Sequence, residues 1–247
     1  VSLTSFPGRI RTVWIAIECL LRQTIKPDRI ILWLAEEQFP DKKLPDSLTR
    51  LRKRGLEIMF CDEDVRAHKK YFYSMKIFPD ASIITADDDL YYDGKFVENL
   101  VKLGENNPQV ICTNRAHQIK FEKDSSVKPY SKWNHNVTSP HPSHNIFPTG
   151  GAGTLYPPNI FDEDIFNLEI LTKYCLQADD VWLKLMAYKN GIKAVTNNRY
   201  NKDPISVKSS QNEKLVSTNV KSGGNDKQFM DVCEYYNIDL SKMKENL

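Results

Sequence analysis

Three consecutive aspartates, Asp87, Asp88 and Asp89, end an apolar run that begins at Ala81 and reads ASIITA. A β-branched run of this length has the character of a central parallel strand covered on both faces, read here over Ser82 to Ala86. Ligands of open α/β sheets bind outside the carboxyl ends of such strands. Successive side chains of an extended chain point to opposite sides, so Asp87 and Asp89 are expected on one side and Asp88 on the other. Two hard carboxylates one residue apart are a donor set for Mn²⁺ or Mg²⁺, ions that bind through one or two carboxylates plus substrate phosphates. Three acids after a strand also make an ordinary solvated turn. The buried-type strand before them and Tyr91-Tyr92 after them favour the metal pair.

Other residues at the same sheet edge could serve that chemistry. Leu3-Thr4-Ser5-Phe6 ends the first strand, and its small hydroxyls suit a nucleotide base and ribose as well as they suit a plain strand end. Asp62 and Asp64 follow the third strand, where a carboxylate could hold the base or ribose. Arg66, Lys69 and Lys70 come next, either as counter-ions for a diphosphate or as a solvated helix face. Lys70 is the candidate among them because it abuts Tyr71-Phe72-Tyr73. Gly150, Gly151 and Gly153 fall within four positions of a chain that has ten glycines, which favours close backbone approach to a substrate over a simple turn. Asp179 and Asp180 open a helix. One carboxylate there would serve as an N-terminal cap; two suggest a general base for an acceptor hydroxyl. Trp182 reads equally as a sugar-stacking platform or a core residue.

The elements that must position these groups alternate. Strands are read at Val1 to Phe6, Arg29 to Leu34, Leu56 to Phe60 and Ser82 to Ala86. Helical stretches lie between them: one capped by Thr12, a basic one over Leu48 to Arg54 stopped by Gly55, and one over Tyr71 to Phe78. This alternation predicts an α/β fold with a doubly wound, mostly parallel sheet and flanking helices. Later come a helix over Phe96 to Asn106, a strand over Gln109 to Thr113, a helix over Ala178 to Asn190 with Gly191 as its cap, and a strand over Lys193 to Thr196. A final helix, capped by Asn225 or Asp226, runs to about Tyr236. Arg115 to Asn145 fits no element, and Asn197 to Gly224 reads as loop. No repeat or linker divides the chain, so residues 1–247 are read as one domain.

With 34 basic and 32 acidic residues the net charge is +2, which gives no nucleic-acid footprint. No apolar run is long enough to span a membrane, and no secretory signal is read. Five scattered cysteines without a C-x-x-C pair are expected as buried free thiols in a reducing, cytoplasmic compartment. The aromatic and basic residues from Lys69 to Lys76 suit either peripheral contact with the inner face of a membrane or a packed helix. The Gly-x-Gly-x-x-Gly and P-loop patterns are both absent.

Taken in order, VSLTSFPGR, IITADDDLYY, GGAGTLYPP and QADDVWL resemble the nucleotide-diphospho-sugar glycosyltransferases of the GT-A fold, and in particular bacterial enzymes of capsular and surface polysaccharide synthesis. The resemblance implies a metal-dependent, inverting transfer from a nucleotide-diphospho-sugar to a hydroxyl of a glycan or lipid-linked glycan. Residues 1–92 would form the donor half and 93–247 the acceptor half. Asp87 and Asp89 would hold the metal, and Asp180 would be the base, with Asp179 as alternate. Thr4, Ser5, Phe6, Arg9, Asp62, Lys70, Asp87, Asp88, Gly150 and Gly151 would line the nucleotide-sugar site. Two family features differ here. The acidic ending of the second strand reads Leu34-Ala35-Glu36-Glu37, and no histidine follows His144, leaving Asp203 as a stand-in for the family's late histidine ligand. The rival readings are a sugar-1-phosphate nucleotidyltransferase, disfavoured by the missing glycine-rich N-terminal loop, and a non-catalytic glycan-binding module.

Overall fold

The computed structural model describes residues 1–197, 204–208 and 223–244. Its first half alternates as the sequence predicts: β1 (Ser2–Thr4), α1 (Trp14–Leu21), β2 (Ile30–Ala35), α2 (Asp46–Thr49), β3 (Leu56–Cys61), α3 (Lys69–Ile77) and β4 (Ile83–Thr85). The second half holds α4 (Phe96–Asn106), β5 (Ile111–Thr113), β6 (Ala116–Gln118), β7 (Ser139–Ser143), β8 (Ile146–Pro148), β9 (Thr154–Tyr156), α5 (Leu168–Tyr174), α6 (Asp179–Lys189), β10 (Ala194–Thr196) and α7 (Gly224–Tyr235).

Eight strands form one sheet in the order β3-β2-β1-β4-β9-β5-β10-β7, and β6 pairs with β8 beside it. The β3, β2, β1, β4 block is parallel, as is the β5–β10 pair. β9 runs antiparallel between β4 and β5, and β7 closes the edge antiparallel to β10. The sheet is therefore doubly wound and mostly parallel. Its order reverses between β1 and β4, and that switch point opens a crevice at the carboxyl ends of the strands.

Period-2 alternation sorts the strand residues onto two covered faces. In β2, Ile30, Leu32 and Leu34 join the core under α1 and α4 with Leu3, Ile17, Leu20 and Leu100. Ile31, Trp33 and Ala35 face the other way, towards α3. Further along, Tyr71, Phe72, Ile111, Tyr156 and Trp182 build the larger core on that second face. Burial on both faces explains why these strands read as continuous apolar runs.

Several local expectations change. Thr12 does not cap α1; its hydroxyl donates to the Arg9 carbonyl at 3.0 Å within a series of turns, and Val13 takes the cap position. Neither Asn225 nor Asp226 caps α7, which starts from Gly223 in the left-handed region; Asp226 instead accepts the Tyr130 amide at 2.6 Å. The basic stretch after α2 winds as a 3-10 helix over Arg50–Arg54 and stops at Gly55, φ +105°. The unassigned stretch 115–145 holds β6 and β7. β7 carries two prolines, which an edge strand tolerates and a central strand does not, so its pattern is hard to read locally. All five cysteines are free, and four of them are buried. The residues from Lys69 to Lys76 belong to a packed helix: Lys69, Lys70, Tyr71, Phe72 and Ser74 are buried. No helix among the described residues is long and apolar enough to cross a membrane.

The return of β9 into the sheet depends on Gly153. It sits at φ +91°, and a Cβ added there would lie 2.1 Å from the Phe96 ring. Gly153→Ala is expected to cost about 3 kcal/mol through overpacking and left-handed backbone strain. Urea unfolding at unchanged m-value measures this, and a loss below about 0.5 kcal/mol would contradict the packing argument.

Candidate active site

The three aspartates follow β4 after Ala86, and the strand's alternation ends before them. Asp88 and Asp89 lie in a turn. The expectation that Asp87 and Asp89 share a side is therefore corrected: Asp88 and Asp89 converge on one guanidinium, while Asp87 turns to a lysine. Arg9 Nη1 donates to Asp88 Oδ1 at 2.8 Å and lies 3.0 Å from Asp89 Oδ2. The other Asp88 oxygen accepts the Ser5 hydroxyl at 2.6 Å. Asp88 is buried, and its carboxyl is pushed above the usual range because burial outweighs Arg9 and Ser5. Its role in this structure is to pin the acidic turn to the end of β1. Arg9 also sits 5.6 Å over the Phe6 ring. Thr4 donates to the Trp33 carbonyl at 2.9 Å, so its hydroxyl, like that of Ser5, is already engaged within the protein.

Lys70 is the junction of the site. It is buried, with Nζ 2.8 Å from Asp87 Oδ1 and 2.8 Å from Asp179 Oδ2. Burial alone would lower its pKa, but Asp179, Asp87 and Asp180 together hold it well above the ordinary lysine value. It is thus a fully charged ammonium that links the end of β4 to the start of α6. Among the cations after β3, Lys69 goes elsewhere: it is buried against Asp64, whose carboxylate also accepts Gln38 Nε2 at 2.7 Å. Asp62 is exposed, so Asp64 is the buried carboxylate at this edge and not Asp62.

The two aspartates of α6 have different surroundings. Asp179 pairs with Lys70, and although burial opposes ionisation, Lys70 keeps its pKa below the usual value. His68 is held neutral, its pKa lowered to about 4 by burial, between Tyr71 Oη at 3.0 Å and the Cys175 carbonyl at 2.9 Å. Asp180 is the more exposed of the pair, and its Oδ1 accepts the Gly150 amide at 2.9 Å. Burial and the neighbouring Asp179 charge push its pKa up to about 8. One carboxylate is thus ionised and the other holds a proton at neutral pH, the separation of roles that acid–base chemistry requires.

Two adjacent glycines make room for both acids. A Cβ on Gly150 would stand 2.7 Å from Asp180 Oδ1, and one on Gly151 would stand 2.9 Å from Asp87 Oδ2. The close approach inferred from the glycine cluster is realised here towards the protein's own carboxylates. Tyr92 fastens the arrangement: its hydroxyl accepts the Asp87 amide at 2.7 Å and donates to the Gly151 carbonyl at 3.1 Å. Sequence reasoning marked the Tyr91-Tyr92 pair without assigning this role. Asp64, read with Asp62 as a carboxylate for the base or ribose, is engaged by Lys69 instead, and the supports His68 and Tyr71 are missed by the sequence reading, which marks only the aromatic run that Tyr71 opens. Trp182 is a core residue, fully buried, with Nε1 donating to the Ile165 carbonyl at 3.1 Å. Asp203 lies outside the described residues.

No family model and no curated protein sequence matches the chain. Among solved structures it is similar to the mannosyltransferase PcManGT from Pyrobaculum calidifontis in complex with GDP-Man and Mn²⁺, with 12% identity and a TM-score of 0.53. That superposition covers 94% of this chain and 62% of the mannosyltransferase, so the chain spans less than two thirds of its neighbour's length. The chain has a GT-A-type fold. More distant likenesses are to TarS from S. aureus (11% identity, TM-score 0.45, 81% of this chain and 57% of that one) and to a 4-diphosphocytidyl-2C-methyl-D-erythritol synthase from Anaerococcus prevotii (14%, 0.43, 89% and 91%).

The raised Asp180 pKa makes a stability prediction. The unfolded chain releases this proton in the ordinary carboxylate range and the folded chain near 8, so between those values the fold holds one more proton. Raising the pH through that window costs stability, by up to about 1.4 kcal/mol per unit. Asp180→Asn keeps the acceptor for Gly150 and removes the charge. Its stability is expected to gain on the wild type as pH rises from about 5 to about 7.5. Parallel denaturation curves across that range would refute the assignment.

Proposed function

We propose that the protein is a metal-dependent glycosyltransferase that moves a sugar from a nucleotide-diphospho-sugar to a hydroxyl of a glycan or lipid-linked glycan. The observation that carries this reading is the Asp87–Lys70–Asp179 bridge with Asp180 beside it, at the switch point of a GT-A-type sheet. It brings a donor-side acid and a base candidate to one crevice, joined by a fixed positive charge. The GDP-Man and Mn²⁺ bound by the mannosyltransferase neighbour support a donor and cation of this class.

Asp87 and Asp89 are the residues that would hold Mn²⁺ or Mg²⁺. Hard carboxylate oxygens suit these ions, and the Asp87 side chain is 32% exposed at the crevice. In this structure Asp89 faces Arg9 and Asp87 faces Lys70, so joint coordination would require Asp89 to turn from Arg9 towards Asp87, with water and phosphate as the remaining ligands. The cation would neutralise charge developing on the leaving diphosphate. Lys70 would add fixed positive charge beside it, acting through Asp87. Asp180, in its ionised form, would take the proton of the acceptor hydroxyl as its oxygen attacks the anomeric carbon, and the product would be inverted. Because Asp180 holds its proton at neutral pH, only its ionised fraction would act as base, so transfer would rise as the pH approaches about 8. Residues 1–92 would bind the donor and 93–247 the acceptor.

Calorimetric titration of UDP and GDP, each with and without Mn²⁺, tests the donor site. Metal-dependent binding of one nucleotide is expected, and it should fall at least about tenfold in Asp89→Ala, equivalent to about 1.4 kcal/mol. Binding of neither nucleotide would remove the reading. Asp180→Asn is expected to retain nucleotide-sugar binding and to lose transfer by a factor of about 10² or more. Wild-type turnover in that variant would strike Asp180 from the mechanism.

A further inference from the structure

A second concave site lies at the far end of α6 from Asp180. It is a cleft of about 430 Å³ where the last turn of α6 and the chain after α7 come together, lined by His144, Tyr188, Tyr236, Asn237, Asp239 and Lys242 among others. Eight residues of helix separate Asp180 from Tyr188, roughly 12 Å along the axis at about 1.5 Å per residue. The cleft therefore does not belong to the crevice at the strand ends.

Its walls define what it can hold. Tyr188 and His144 form an aromatic floor, their rings edge to face at 5.2 Å. Tyr188 is fixed by its hydroxyl, which donates to the Asp239 carbonyl at 2.8 Å. Tyr236 adds a third ring, set 6.2 Å from the buried Trp182. Two helices, α6 and α7, end at this cleft, and helix C-termini present partial negative charge. Of the two lysines on the rim, Lys189 is engaged by Asp162 and Asp164 at 2.5 and 2.7 Å. Among the described residues the cleft sets two C-terminal ends and Asp239 against Lys242, whose charge already acts on Asp239, and this balance disfavours a phosphate or nucleotide. Lys189 Nζ already sits 5.6 Å over the Tyr236 ring, and Asp239 Oδ1 accepts the Ser241 amide and hydroxyl at 3.0 and 2.6 Å. The Tyr188 and His144 rings, with the second Asp239 carboxylate oxygen and the Asn237 side-chain amide beside them, match a neutral, hydroxyl-rich ligand.

We infer that this cleft is a saccharide-binding site separate from the reaction centre. A chain bound there would be held to the protein independently of sugar transfer, so the inference stands whether or not the reaction proposed above is correct.

The test is NMR titration of the isotope-labelled protein with four neutral tetrasaccharides, built of mannose, glucose, galactose and N-acetylglucosamine, without nucleotide or metal. Saturable amide shifts are expected for at least one of them around Tyr188, Gly191, Asn237 and Asp239. Tyr188→Ala should weaken that binding at least fivefold. Because Tyr188 also packs against the core, a gentler variant guards the result. Gly191 sits at φ +71° with nothing within 4 Å of an added Cβ, and asparagine tolerates that backbone, so Gly191→Asn should fold and crowd the cleft. It too should weaken binding at least fivefold, with amide shifts elsewhere unchanged. Absence of shifts with all four sugars, shifts confined to the Asp87 and Asp180 crevice, or undiminished binding in Gly191→Asn would each overturn the inference.

Discussion

An ammonium group buried in protein needs opposite charge close by, and Lys70 meets that need with acids from two distant parts of the chain. Its contacts at 2.8 Å to Asp87 and to Asp179 join the carboxyl end of β4 to the amino end of α6. Removing either acid would leave the lysine under-compensated, and removing the lysine would leave two acids repelling each other beside a third, Asp180. The geometry of the crevice is therefore cooperative: each charge is tolerable only because the others are present. The same pairing divides the labour between the neighbours on α6. Asp179 is held ionised by Lys70, and its charge then helps to keep the proton on Asp180.

A second cation performs a similar service on the other side of β4. Arg9 and Ser5, from the turn after β1, hold Asp88 inside the protein and draw Asp89 in with it. The acidic turn is thus tethered to its neighbouring strand on one flank and to α6 on the other. Backbone fits between them: Gly150 donates to Asp180, Gly151 lies against Asp87, and Tyr92 ties the Asp87 amide to the Gly151 carbonyl. A side chain at either glycine would meet a carboxylate oxygen at under 3 Å. The glycines serve the assembly of the acids first, and any substrate meets a crevice already formed.

The sheet explains why this assembly sits where it does. β4 lies between β1 and the antiparallel β9, so the acidic turn, the Ser5–Arg9 turn and the glycine turn before β9 all emerge at one edge. α3 packs across β1 and β4 and delivers Lys70 from the covered face. The insertion of β9 depends on Gly153, where no other residue fits against Phe96.

The alternation of strand and helix, the covered β2 and β4, the acidic turn and the acid pair on α6 were all legible in the sequence. These are local features: hydrophobic periodicity and the ends of apolar runs are written in consecutive residues. Sequence also marked Lys70 and the glycine cluster as unusual. What it could not specify was pairing. Strand periodicity assigned Asp87 and Asp89 to one side, but the chain leaves the extended conformation at the turn, and Arg9 then decides which carboxylates converge. Asp62 and Asp64 look equivalent in the chain, and only the packing of Lys69 makes Asp64 the buried one. Asp179 and Asp180 are likewise identical in type, and their different proton affinities arise because Lys70 pairs with Asp179, while burial and the Asp179 charge raise Asp180. In each case the deciding partner lies far away in sequence. Electrostatic interaction depends on distance in space and on exclusion of water, and both are fixed only when the chain folds.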